Sequence, residues 1–126
     1  MTAAFLDTHA AVLLWEHKSA TFGRKSRALL DTARLHVSPI VALELQYLYD
    51  IKRLCPTPEA LLADLSRESG VELAHDDIAD VVTHAATLTW TRDPFDRLLV
   101  GHALLRQLPF ITRDRVILAN LPSVVW

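Results

Sequence analysis

The run TRDPFDRLLVGHALL, residues 91–105, holds two carboxylates that need different explanations. Asp93 suits the N-cap of a helix opening at Pro94. Its side chain can accept a first-turn N–H, and Pro94 lacks an amide hydrogen that would have no partner there. Asp96 falls in the first turn, where the helix dipole favours negative charge. At helical spacing, however, Asp96 shares a face with Leu99, Val100 and Ala103, and the dipole does not explain an acid on an apolar face. Glu44 repeats the anomaly, since Ile40, Val41, Tyr47 and Leu48 lie three and four residues from it. An acid within such a stripe is costly to bury. The ordinary alternative is a helix flank or an ion pair with arginine. Asp7 and Asp114 each follow an apolar run, AAFL and PFITR, and precede a helix, where capping is the ordinary alternative.

Four separate accidents are less economical than one shared site. At ~5 Å and an effective dielectric of ~20, each charged pair repels by about 3 kcal/mol, so a cluster of acids needs a counter-charge. A divalent cation supplies it. Oxygen ligands without nearby Cys or His point to Mg²⁺ or Mn²⁺ rather than zinc. Such an ion keeps waters, which suits phosphoryl chemistry with one water as nucleophile and the ion offsetting transition-state charge. Thr8 and Thr112 stand beside the acids as hydroxyl donors that could orient them. The simpler expectation for Thr8 is that its hydroxyl serves the helix backbone, and for Thr112 that it is an ordinary strand residue.

The elements that must hold these acids follow from pattern. AAFL reads as a buried strand ending at Asp7, and THAAVLLWEHK as a helix. RKSRALLDTAR is a second helix and LHVS a second strand. Pro39 opens a helix from about Ile40 to Lys52, CPTP is a loop, and EALLADLSRES is helical up to Gly70. VELA is a strand, DDIADVVTHAATL a helix, then comes the helix of residues 94–105. The chain closes with the strand PFIT, a short helix after Asp114 and the strand SVVW. Alternation of this kind predicts a mostly parallel central sheet between helical layers, a three-layer α/β/α sandwich. Sites in such sheets lie beyond the carboxyl ends of the strands, where Asp7 and Asp114 stand.

Bulk composition sets the frame. The 126 residues, 51% of them hydrophobic, are of ordinary domain size and can form a core, so residues 1–126 read as one domain. No apolar run reaches the ~20 residues of a membrane span, and the start lacks signal-peptide character, so a cytoplasmic protein is expected. Cys55 is the only cysteine, so no internal disulfide can form, and beside Pro56 it reads as inert. The net charge of −2 does not advertise nucleic acid. With four acids assigned to a cation, 11 of the 15 remain against 13 Lys and Arg, and local patches decide.

Five segments in order, FLDTHAAVLLW, SPIVALELQYLYDIKRL, TRDPFDRLLVGHALL, LPFITRDRVI and the terminal VVW, give the sequence a resemblance to the PIN-domain ribonucleases, specifically VapC-type toxins of toxin–antitoxin pairs. DPFDRLLVGHA followed by ITRD is the specific part, strengthened by LDTHAAVLLW. The resemblance implies a helix-sandwiched parallel sheet, a homodimer, and Mg²⁺- or Mn²⁺-dependent RNA cleavage. It puts the acidic quartet on Asp7, Glu44, Asp96 and Asp114. It also implies a small VapB-like antitoxin whose C-terminal segment crosses the active site. Gly101 stands where the family usually has alanine, which by propensity loosens the helix after Asp96. Gln46 and Tyr47 stand where the family often has isoleucine-rich text.

Cations near the cleft would hold RNA phosphates. Arg97, Arg113 and Arg115 adjoin the acids and are the candidate RNA contacts. Arg24, Lys25 and Arg27 form a second patch, Lys52 and Arg53 a third. Trp15 reads as core or dimer contact rather than a stacking platform. The histidines lack metal-ligand spacing. His75 with Asp76, Asp77 and Asp80 reads as a strand end and an acidic helix start. His102 reads as structural. The alternative to a metal-dependent endoribonuclease toxin is a catalytically silent protein of the same fold that binds RNA or antitoxin. An Asp-nucleophile phosphatase is weaker, because His9 occupies the place of its second acid and the chain has three glycines and no phosphate loop.

Overall fold

The computed structural model describes residues 2–126. Among them, β1 (Ala3–Leu6), β2 (Arg34–Val37), β3 (Glu72–Leu73), β4 (Phe110–Ile111) and β5 (Val124–Val125) form one sheet in the order β3-β2-β1-β4-β5. Every pairing is parallel. The helices are α1 (Thr8–Trp15), α2 (Arg24–Thr32), α3 (Pro39–Asp50), α4 (Pro58–Ser69), α5 (Ile78–Ala86), α6 (Pro94–Arg106) and α7 (Arg115–Asn120). The three-layer α/β/α sandwich expected from the alternation is the fold found.

Helix starts and stops are written locally. Ser38, Thr57, Asp77 and Asp93 cap α3, α4, α5 and α6 through side-chain oxygens, and α3, α4 and α6 each have proline at the first position. α4 ends on Gly70 in the left-handed region at φ 65°, a conformation that glycine adopts without Cβ strain.

The strand order decides where a site can form. The chain steps outward from β1 to β2 and β3, then crosses back past β1 to β4 and β5. The direction of travel thus reverses between β1 and β4, and at such a switch point a crevice opens at the carboxyl ends of the strands. β1 lies in mid-sheet, with Ala4, Phe5 and Leu6 all at most 1% exposed. Phe5 pairs with Phe110 and Leu6 with Ile111, which brings Asp7 and Thr112 side by side one residue further on. The Asp7 N–H continues the ladder to Ile111 O at 3.0 Å.

Two expectations about packing change. On α3 the fully buried residues are Val41 and Leu45, while Tyr47 is 56% exposed, so Glu44 sits at the edge of the apolar stripe rather than in its middle. Gly101 does not loosen α6. A Cβ there would lie 2.7 Å from Ala85 N and 2.9 Å from Ala85 Cα, so the bare backbone is what lets α5 pack against α6. Among the described residues no helix is long and apolar enough to cross a membrane.

Candidate active site

Asp7 is the N-cap of α1. Its Oδ1 accepts the Thr8 N–H at 2.6 Å and its Oδ2 accepts the Thr112 hydroxyl at 2.5 Å. Thr112 is 1% exposed, and its oxygen also accepts the Asp114 N–H at 3.1 Å. One hydroxyl thus ties the end of β1 to the turn after β4. Asp114 in turn caps α7, accepting Val116 and Ile117 N–H at 2.9 and 3.1 Å, both through Oδ1. The capping alternative is therefore true of Asp7 and Asp114, but it uses only part of each carboxylate's capacity to accept.

Thr8 departs from the simpler expectation. Its hydroxyl leaves its own helix and donates to Glu44 Oε1 at 2.5 Å. Thr8 is fully buried, so this bond joins α1 to α3 and turns the half-buried Glu44 toward the end of β1. Asp96 is half-buried in the first turn of α6, with Leu99, Val100 and Ala103 below it at 1–2% exposure. Asp93 caps α6, accepting Phe95 and Asp96 N–H at 2.8 and 3.2 Å.

The electrostatics show that these acids sense one another. Burial raises the Asp96 pKa to about 7, and Asp93, Asp114, Asp7 and Glu44 push it the same way. Burial likewise raises Asp7, against the Thr112 and Thr8 bonds that lower it, with Asp114 adding to the rise. Burial also raises Glu44, opposed by the Thr8 hydroxyl and reinforced by Asp7. Acids separated by up to 107 positions in sequence thus share one field of like sign.

A pocket of about 260 Å³ opens at the carboxyl ends of β1 and β4, lined by Asp7, His9, Thr112, Arg113 and Asp114. The sequence marks His9 only as the residue in the place of a phosphatase's second acid, not as part of this site. Its only signal for this site was its place directly after Asp7 and Thr8 at the start of α1, and its imidazole lowers the pKa of both Asp7 and Glu44. Arg113 is exposed beside the pocket and Arg115, two residues on, is exposed at the start of α7. Arg97 is engaged elsewhere, donating Nε–H to Thr91 O at 2.7 Å and lining a separate apolar groove with Val82, Pro94 and Leu98.

Among the described residues no group of three or more Asp, Glu, His or Cys side chains is arranged to hold a metal ion. The donor set nonetheless suits Mg²⁺ or Mn²⁺. The four acids offer oxygen donors only, although His9 also lines the pocket; the carboxyls of Asp7, Glu44 and Asp96 are raised in pKa by burial and by neighbouring acids, and Mg²⁺ takes one or two carboxylates while keeping waters. Asp7, Glu44, Asp96 and Asp114 are the residues that would hold it.

Other acids and aromatics are accounted for outside this pocket. Asp77 caps α5 and Asp80 lies in its first turn, as an acidic helix start requires, but Asp76 turns away to His102 Nε2 at 2.8 Å. Trp15 is half-buried and donates to Asp64 Oδ2 at 2.9 Å, joining α1 to α4. Cys55 is a free, exposed thiol.

A parallel α/β/α sandwich with an acidic pocket at its topological switch point defines the class. The sequence matches the PIN domain over residues 4–122, and the chain belongs to the PIN-domain family. Similar solved structures include a toxin–antitoxin complex from Klebsiella pneumoniae, with TM-score 0.68, 20% identity, 98% of this chain and 97% of that chain covered. VapBC2 from Rickettsia felis bound to a promoter DNA fragment gives 0.67 and 19%, covering 98% and 96%. DNA-bound VapBC from Salmonella typhimurium gives 0.64 and 23%, covering 99% and 96%. At these identities the likeness is one of fold. No curated protein matches the sequence.

Proposed function

We propose that this protein is a VapC-like toxin, an endoribonuclease that uses Mg²⁺ or Mn²⁺ to hydrolyse RNA phosphodiester bonds. Asp7, Glu44, Asp96 and Asp114 form its acidic quartet. The reading is carried by the PIN-domain match over residues 4–122 together with the Thr112–Asp7 and Thr8–Glu44 bonds that orient two of these acids at the carboxyl end of β1, and burial with the neighbouring acids raises the Asp96 pKa to about 7. Such a field is a liability in an empty protein and an asset around a cation.

Held by these acids, a divalent cation would supply charge neutralisation at the scissile phosphate and activation of a water. The chain's own residues do the rest. Thr112 and Thr8 hold the Asp7 and Glu44 carboxylates in fixed orientation. Burial and the neighbouring acids favour the protonated form of the Asp96 carboxyl, and a cation held beside it would favour the ionised form. Arg113 beside the pocket is the group best placed to bind an RNA phosphate, with Arg115 beyond it.

Growth inhibition, release by a VapB-like antitoxin, a homodimer and a cytoplasmic location belong to the same reading. It is supported by family membership and by a fold shared with toxins solved in complex with antitoxins. The test is incubation of purified protein with RNA and Mn²⁺ beside Asp7→Asn and Asp96→Asn. Wild-type cleavage with a loss of more than about 100-fold in both variants is expected, in line with removal of a charge-bearing ligand. Equal cleavage by all three would mark contamination. RNA bound firmly but left uncut with metal present would favour the silent binding protein instead.

A further inference from the structure

One buried imidazole outside the acid pocket touches the framework of three of the four acids. His102 on α6 is 2% exposed. Its Nδ1 lies 2.8 Å from Ser38 Oγ and its Nε2 lies 2.8 Å from Asp76 Oδ2. Its ring centroid is 5.0 Å from that of Phe5, and the ring of His36 approaches Phe5 at 5.9 Å. Arg106, also on α6, donates from Nη1 to the same Asp76 oxygen at 3.2 Å.

The directions of these bonds assign the proton. Ser38 caps α3 by accepting the Ile40 N–H at 3.3 Å, so its hydroxyl hydrogen is free to go to Nδ1. His102 then carries its hydrogen on Nε2, aimed at Asp76, whose carboxyl is held below the usual range first by that bond and then by Arg106. The chain runs from Ile40 through Ser38 to His102, and from His102 to Asp76, with each group satisfied. The Ser–His–Asp order is not a hydrolytic relay, because Ser38 is 1% exposed and serves the cap.

Each partner leads to an acid. Glu44 lies six residues beyond Ser38 on α3, Asp96 six residues before His102 on α6, and Asp7 two residues beyond Phe5 on β1. Apolar packing between α3 and α6 does not by itself fix how far one helix slides along the other, since hydrophobic burial is non-directional. The hydrogen bond between buried Ser38 and buried His102 does fix it, because it holds only at one distance and direction.

We propose that His102 is a positioning residue for the acidic pocket: by clamping the cap of α3 to α6 against β1, it sets the spacing of Glu44, Asp96 and Asp7 without touching cation or RNA. This rests on the reading of those acids as a cation-dependent nuclease site. A shift of ~1 Å in such a site is enough to lower turnover by ~100-fold.

The test combines Mn²⁺ binding followed by electron paramagnetic resonance with kcat and KM on RNA, for the wild type, His102→Leu, His102→Gln, Ser38→Ala and the Ser38→Ala/His102→Leu double variant. Val71→Ala, a buried residue just before edge strand β3, is the control for simple destabilisation. His102→Leu is expected to lose roughly 10–100-fold in Mn²⁺ affinity and a similar factor in kcat with KM for RNA little changed, as when a group orienting metal ligands is removed. Ser38→Ala should move the same quantities in the same direction, and the double variant should be no worse than His102→Leu. Val71→Ala should lower the melting temperature and leave Mn²⁺ affinity alone. If His102→Leu does not fold, His102→Gln, which keeps a donor toward Asp76 and loses Ser38, carries the comparison with Ser38→Ala. Wild-type Mn²⁺ affinity and kcat in the folded His102 variants, or an equal loss in Val71→Ala, overturns the proposal. A wild-type protein that neither binds Mn²⁺ nor cuts RNA overturns the site reading beneath it.

Discussion

Thr112 donates its hydroxyl to Asp7 Oδ2 at 2.5 Å, joining the ends of two neighbouring strands across 105 positions of sequence. The same oxygen accepts the Asp114 N–H, so a single buried side chain aligns two of the four acids. The bond exists because β1 and β4 are parallel and in register up to Leu6 and Ile111.

Thr112→Val removes both contacts at nearly constant shape. Loss of a group that orients a metal ligand is expected to lower cation affinity or RNA cleavage by roughly 10–100-fold. Leaving a buried carboxylate without its donor should also lower stability by about 1–3 kcal/mol. Thr112→Ser, which keeps the hydroxyl, should recover most of the cleavage. Activity of Thr112→Val equal to that of the wild type would mean that Asp7 needs no such support.

The raised acids make stability depend on pH in a definite direction. Asp96 keeps its proton up to about 7 when folded, against an ordinary value of 3.8. Between these values the folded chain binds more protons than the unfolded one, so cation-free stability falls as pH rises through this window and is level above it. Asp7 and Glu44, raised as well, add in the same sense. Mg²⁺ or Mn²⁺ must displace these protons, so the gain in melting temperature on adding cation should be larger at about pH 8 than at about pH 5. Melting curves with cation and with chelator at both values decide it. A gain independent of pH would disconnect the acids from the ion.

Gly101 separates helix propensity from packing. Propensity alone makes Gly101→Ala stabilising by about 1 kcal/mol. The new methyl would lie 2.7 Å from Ala85 N, against backbone that cannot swing aside, and overpacking of this kind costs about 1–3 kcal/mol. A net fall in the urea midpoint is expected. A rise would show that α5 gives way easily.

The two arginines beside the acids should behave differently. Arg113 lines the pocket, whereas Arg97 holds the Thr91 carbonyl and lines the groove behind the start of α6. Arg113→Ala should weaken RNA binding measured with catalysis blocked by Asp96→Asn, and reduce its salt dependence by about one phosphate contact. Arg97→Ala should change RNA binding little and lower the melting temperature. The reverse ranking would move the RNA path to the other side of α6.

Much of this protein was legible in one dimension because its signals are local. Pro39 and Asp93–Pro94 announce helix starts, and short runs between helices announce strands of a parallel sheet, whereas Thr57–Pro58, read as the end of a loop, are the cap and first residue of α4. Helical spacing alone separated Asp96 from the capping Asp93, because facing residues on a helix are fixed by its pitch. The acids that end β1 and follow β4 could be set at strand ends for the same reason. Tertiary structure alone decided what depends on two distant segments meeting. It sent the Thr8 hydroxyl to Glu44 rather than to its own backbone, turned Asp76 from the start of α5 to His102, and brought His9 to the pocket wall. It also made Gly101 a point of helix contact instead of a weak point in α6. Spacing along a chain fixes which side chains share a face, but the partner across that face is set by strand register and helix crossing, which no local run of residues contains.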